Sequence, residues 1–252
     1  PIYNMLTKIL SRLAPAVMMI AASIHLEADP PRRIIPSPKE IRVESPRIPL
    51  ADSGKTTAVI LTPEEASPME RRAVEWLNKA VAAQCGKTLP VLTENAAGIP
   101  ADSVRIYVGV HGKFARIPVV AEELAKFPLG SQGYLIRSQE NVIVLTAPEA
   151  NGVLYAAVTA GNLVEKQGNR TTFPAATVSD WPDFRNRMLL NDILCGPVRD
   201  RKVMPNEGHR KLETAKAQID WALRYKFNLI QVDAEMFKEY LDCEDDWPWI
   251  RQ

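Results

Sequence analysis

Arg187, Asp192 and Asp233 are the residues whose types and spacing best suit chemistry. Arg187 opens the apolar run RMLLNDIL, residues 187–194, and Asp192 lies inside it. Asp233 directly follows the second run, NLIQV, residues 228–232. If both runs are strands of a β/α barrel, their ends are where such barrels build sites. Arg187 offers a planar, permanently charged donor fork that suits vicinal hydroxyls. Asp233 stands at a C-terminal strand end, the stronger position of the two. Trp247-Pro248-Trp249 has the aromatic faces that stack on a sugar ring. The plainer reading of each residue is an ion pair, a satisfied loop polar group or loop packing.

Other motifs do not hold together. Gly54-Lys55-Thr56 has the ending of a phosphate-binding loop, but position 49, where the earlier glycine belongs, is Pro49, and a strand follows rather than precedes it. His25, His111 and His209 stand in no metal-binding frame, so no metal and no cofactor is expected. There is no G-x-S-x-G elbow. Cys85, Cys195 and Cys243 are too few and too scattered for a disulfide framework or a zinc knuckle. Asn169-Arg170-Thr171 fits an N-glycosylation acceptor.

Composition narrows the function class. The chain has 252 residues, 46% hydrophobic and 24% charged, which excludes a disordered or collagen-like protein. Lys+Arg is 31 against Asp+Glu 30. That balance gives no electrostatic reason for nucleic acid or an acidic membrane surface as a partner.

The elements that must position these residues can be read in order. From Met5, basic Lys8 and Arg12 precede a mostly apolar stretch, Leu13 to Ile24, and then small residues. The pattern predicts a secretory signal over residues 1–28, hence export, with no stable membrane span after cleavage. Pro1 to Asn4 read as translation upstream of the start. The proline-rich stretch Asp29 to Pro49 should run extended, with a short edge strand near Ile41-Arg42-Val43. Thr57 to Thr62 and Val104 to Val110 read as buried strands. Pro63 to Gln84 reads as a helix with Met69, Ala73, Leu77, Ala80 and Val81 on one face, stopped at Gly86. Ala121 to Phe127 is a short helix at most. Gly133 to Arg137 and Val142 to Ala147 form a hairpin about Gln139-Glu140-Asn141. Asn151 to Glu165 is a second long helix.

A turn-rich junction follows from Val178 to Phe184. Then come the run at 187–194, a helix over Leu212 to Tyr225, and the run at 228–232, together one right-handed β-α-β unit. The fold class is α/β: an α+β domain with a mixed sheet and helices over 29–175, then an incomplete β/α barrel over 176–252. Two parallel strands are not a finished domain, and a barrel takes about 250 residues. The sequence is therefore expected to be the first part of a longer protein.

Several stretches resemble one known domain. They are Gly133-Tyr134-Leu135-Ile136, Asn141 to Ala147, Gly152 to Leu163, the opening Ile34-Ile35-Pro36-Ser37-Pro38, and the exit Phe173 to Phe184. The resemblance, from about Ile34 to Asp233, is to glycoside hydrolase family 20, the β-N-acetylhexosaminidases. It implies their zincin-like accessory domain, which needs no metal, and the start of their barrel. It also implies a carbohydrate substrate and substrate-assisted retaining hydrolysis, in which the sugar's acetamide attacks its own anomeric carbon. By that resemblance Arg187 would bind hydroxyls of the terminal sugar, and Asp192 stands at the family's aspartate. Lys226 to Ile230 matches the family's second strand. Met188 replaces the family glycine, and Gln231 and Asp233 replace its histidines, which implies a divergent branch. The family's catalytic Asp-Glu pair follows the fourth strand, so no catalytic residue is expected in this chain and it should be inactive alone. A glycosidase acting on another sugar such as a uronide, and a non-catalytic carbohydrate-binding module, are the competing readings.

Overall fold

A computed structural model describes residues 34–115, 117, 121–189, 216–217 and 219–230. The alternation of apolar and polar residues resolves into one mixed sheet. Its strands are β1 (Glu40–Asp52), β2 (Lys55–Thr56), β3 (Ala58–Thr62), β4 (Val91–Thr93), β5 (Val104–Val110), β6 (Tyr134–Gln139), β7 (Val142–Ala147), β8 (Glu165–Gln167) and β9 (Arg170–Asp180). The order across the sheet is β2-β1-β9-β6-β7-β5-β3-β4, with β8 paired to β9. From β7 to β4 the neighbours are parallel, and from β2 to β7 they are antiparallel. Parallel strands need cover on both faces, which is why β3, AVILT, is buried at every position.

Two helices supply the cover on one face. Helix α1 (Pro68–Cys85) begins in a reciprocal capping box between Ser67 and Glu70 and stops at Gly86, φ 74°. Pro68 takes the first turn instead of Pro63, because the Ser67–Glu70 box satisfies the free N-terminal N–H groups at that point. Met69 points outward, 37% exposed, while Ala73, Val74, Leu77 and Val81 face the sheet. A short helix, α2 (Ala121–Ala125), lies on the other face. Helix α3 (Ala150–Leu163) is buried on nearly every side and packs along α1 and over β7. The main core lies between these two long helices and the sheet, with Ile60, Ile106, Ile136, Ile143, Leu145 and Val178 at its floor. A smaller cluster on the other face joins Leu124, Leu129, Leu135 and Val144.

The ends of the sheet depart from expectation. The proline-rich stretch forms a thirteen-residue strand, not a short edge. Register shifts between Val43 and Arg47 and between Pro49 and Ala51 let β1 carry Pro46 and Pro49, which have no N–H to donate. Strand β9 runs through Val178 to Asp180, so the connecting turn begins only at Trp181. The expected hairpin is present: β6 and β7 are antiparallel, and Glu140 takes φ 54° in the turn. Ser53-Gly54, both at positive φ, is the two-residue turn of a tight β-hairpin, and Lys55-Thr56 is its second strand, not part of a phosphate cradle.

Beyond the sheet, β10 (Met188–Leu189) and β11 (Leu229–Ile230) pair in parallel. Residues 219–224 between them are helical. This is the expected β-α-β arrangement as far as the described residues run, all of them within one compact unit, Arg32–Gln252.

Candidate functional site at the sheet rim

Tyr134 opens β6 and Asp180 closes β9, and the two are register partners. Both side chains lie on the helix-covered face. Lys226, in the turn that leads into β11, reaches in between them. Its Nζ donates to Asp180 Oδ2 at 2.7 Å and to the Tyr134 hydroxyl at 2.8 Å. Tyr134 donates its one proton to Asp180 Oδ2 at 3.0 Å. Its two lone pairs then accept from Lys226 and from Thr159 Oγ1 of α3, the latter at 2.6 Å. Asp180 Oδ1 accepts from the Lys39 backbone N–H at 3.2 Å. Every polar group of the cluster is thus paired, which its burial demands.

Burial and the Asp180 charge push the Tyr134 phenol well above its ordinary range. Burial pulls the Lys226 amine down, and Asp180 opposes that fall. Lys226 is only 5% exposed, and its backbone is left-handed, φ 59°. Its N–H bonds to Leu223 O at 2.8 Å, closing the preceding helical turn.

Arg187 stands beside this cluster. Its Nε donates to Lys226 O at 2.7 Å and its Nη1 to Phe184 O at 2.8 Å. The guanidinium lies over the Tyr155 ring, 5.3 Å from the centroid. Its backbone N–H donates to Asn228 Oδ1 at 2.8 Å, and Asn228 N–H returns a bond to Arg187 O at 3.0 Å. Asn228 and Gln132 both donate to Arg185 O. Lys39, Gln132, Tyr155, Trp181 and Arg187 border a cleft of about 180 Å³. That is below the roughly 300 Å³ at which small-molecule sites begin.

Arg187 therefore sits at the N-terminal end of its strand. Asp192 and Asp233 lie outside the described residues, as do Trp247 to Trp249, Cys195 and Cys243. Because β10 and β11 are parallel, both strands enter from this rim and run away from it. The rim cluster spends its polar groups on one another and on main chain, which makes it a structural junction. Sequence reasoning passed over Tyr134, Thr159, Asp180 and Lys226 as functional residues. The one local signal was a carboxylate, Asp180, on the buried register of a strand, in phase with Val178.

The other buried carboxylate, Glu70, is also structural. It accepts from Ser67 N, Ser67 Oγ, Val110 N and Lys113 Nζ. Among the described residues no group of acidic, histidine or cysteine side chains could hold a metal ion, and no helix is long and apolar enough to cross a membrane.

Residues 32–181, the whole sheet and its helices, match the family described as glycosyl hydrolase family 20, domain 2. The chain belongs to glycosyl hydrolase family 20. No curated protein matches it. Among solved structures it is similar to an inactive mutant of a GH20 exo-β-N-acetylglucosaminidase from Vibrio harveyi, at 16% identity and TM-score 0.53, covering 80% of this chain and 25% of that one. It is similar to the β-N-acetylhexosaminidase from Bacteroides fragilis, at 18% identity and TM-score 0.52, covering 79% and 32%. It is also similar to Streptomyces plicatus N-acetyl-β-hexosaminidase, at 20% identity and TM-score 0.50, covering 81% and 35%. At such identities the likeness is one of fold. The family 20 chain described here spans a quarter to about a third of the length of these structures.

Proposed function

We propose that this family 20 chain is the first part of an exported exo-glycosidase that removes terminal N-acetylhexosamine with retention. The observation that carries the reading is the order of parts: a family 20 domain over residues 32–181, followed at once by a parallel strand pair, β10 and β11. In this reading the accessory domain, zincin-like in architecture, carries no chemistry and holds the N-terminal rim of the barrel.

The sugar then belongs at the opposite ends of the strands. Asp192 and Asp233 follow the two strands in sequence and are the residues proposed to face it. Arg187 is proposed as a substrate contact by family position, but two of its guanidinium nitrogens are committed to main-chain carbonyls. The acetamide supplies the nucleophile, and an Asp-Glu pair beyond a fourth strand orients it and protonates the leaving oxygen. This chain supplies no such pair. Glu244-Asp245-Asp246 is an acidic run in a different place, so the 252-residue chain is proposed to be inactive by itself.

Gln231 and Asp233 in place of the family histidines favour a second reading, a related enzyme for a sugar without the acetamide. The test is to assay the complete gene product on aryl N-acetylhexosaminides and aryl uronides, with glycan binding measured in parallel. Release of aglycone from the hexosaminides supports the first reading, and release from uronides alone the second. Glycan binding with no turnover of either would overturn both and leave a binding module.

A further inference from the structure

We infer that the rim of the family 20 domain is a docking surface for the chain's own β-α-β unit, and that Lys226 is the residue that fixes the unit there. Three observations carry this. First, Lys226 joins three elements distant in sequence, β6, β9 and the turn before β11, through one amine. Second, its side chain is enclosed there: Lys226 is a buried lysine, a type rarely buried unless paired. Third, a separate polar contact holds the same unit further along. Asp220, on the helical segment 219–224, meets Arg72 Nη2 and Lys79 Nζ of α1, both at 2.8 Å.

Apart from Leu223, which packs against the main core, the unit has little to hold it otherwise. A lone pair of parallel strands has no independent stability in water. Met188 is 50% exposed, Leu229 43% and Trp221 45%. Ala222 is the one fully buried apolar residue of the described helical segment. The order of residues 219–230 is therefore conditional on the rim. Lys226 is a positioning residue: it sets where β11 begins, and Arg187 and Asn228 then close the main-chain seam on either side. The inference holds whether or not the sugar chemistry proposed above is right.

Hydrogen exchange on the 252-residue chain tests it. The reporting amides are Phe227, Asn228 and Leu229, whose N–H groups bond to Ala222 O and Arg187 O, against β5 and β7 as internal reference. Lys226→Met leaves Asp180 buried without its cation. It should speed exchange at the reporting amides roughly a hundredfold while β5 and β7 stay protected. Asp180→Asn with Lys226→Met removes both charges and should recover much of that loss. Asp220→Ala, which leaves the rim intact, should speed exchange over 219–224 severalfold and keeps the question open to test if Lys226→Met does not fold. Unchanged exchange at Phe227 to Leu229 in Lys226→Met would overturn the inference. So would a uniform rise across the whole sheet, or no effect from Asp220→Ala where Lys226→Met cannot be made.

Discussion

Glu70, in the first turn of α1, accepts a hydrogen bond at 2.8 Å from the backbone N–H of Val110, the last residue of β5. One carboxylate therefore caps its own helix through Ser67 and ties that helix to the parallel half of the sheet. Lys113 supplies the counter-charge at 2.8 Å. Burial alone would raise the Glu70 pKa, but bonds from Lys113, Ser67 and Val110 outweigh it and hold the group below its ordinary 4.5. A carboxyl with a depressed folded value contributes stability above that ordinary value, and loses it as pH falls from there through the folded value. Glu70→Gln should flatten that part of the acid limb. Glu70→Ala, which strands buried donors, should cost about 2–4 kcal/mol at neutral pH. Urea unfolding across the acid range checks both.

The second prediction concerns a close approach between α3 and the loop before β6. A Cβ on Gly152 would run into the carbonyl oxygen of Gly133 and come within 2.6 Å of Ala147 Cβ. One group is backbone and the other a fixed methyl, so neither can rotate away. Gly152→Ala should therefore destabilise by about 2–3 kcal/mol despite improving helix propensity. A thermal melt that is unchanged or raised would contradict the packing described. Gly168, at φ 61° in an open turn with nothing near its Cβ position, is the contrast: there the cost of alanine is conformational only.

How much of this was legible in the sequence follows from how local each signal is. The runs at Val104 to Val110 and Val142 to Ala147 are mostly apolar, interrupted by Arg105 in the first and Thr146 in the second, and both are strands. The polar turn between β6 and β7 marked the hairpin because a two-residue loop must be sharp. Strand β1 was obscured by Pro46 and Pro49, since a proline argues against a strand unless register shifts absorb it, and those depend on the partner strand. Pro174 hid β9 in the same way. The start of α1 was misplaced because Pro63 and Pro68 both suit a first turn, and only the Ser67–Glu70 reciprocity separates them. The rim cluster had one local signal, Asp180 in phase with Val178. Tyr134, Asp180 and Lys226 meet only through the fold, and a lysine before a strand carries no mark of burial.

Arg187 separates two roles that the sequence alone leaves joined. Its bonds to Lys226 O and Phe184 O and its place over Tyr155 make it part of the seam. Arg187→Met keeps the stem and removes the donors, leaving two carbonyls without partners. It should lower stability by about 1–3 kcal/mol in the 252-residue chain, with no sugar present. Denaturant unfolding measures this directly. A variant as stable as the parent would mean that the seam does not need the guanidinium.

The last prediction lies on the alkaline side. The Tyr134 phenol is raised well above its ordinary 10.0, by burial first and by the Asp180 charge second. A group whose folded value is raised contributes stability that is fully present below its unfolded value and is lost as pH climbs past it. Stability should thus fall above about pH 10, where ionising Tyr134 favours the unfolded chain. Tyr134→Phe removes that proton and should flatten the alkaline limb. The same change deprives Lys226 and Thr159 of an acceptor, so it should cost about 1–2 kcal/mol at neutral pH. Tyrosinate absorbance followed against unfolding tests both halves. If the absorbance difference between parent and Tyr134→Phe shows Tyr134 ionising near pH 10 while the chain stays folded, the phenol is not enclosed between Asp180 and Lys226.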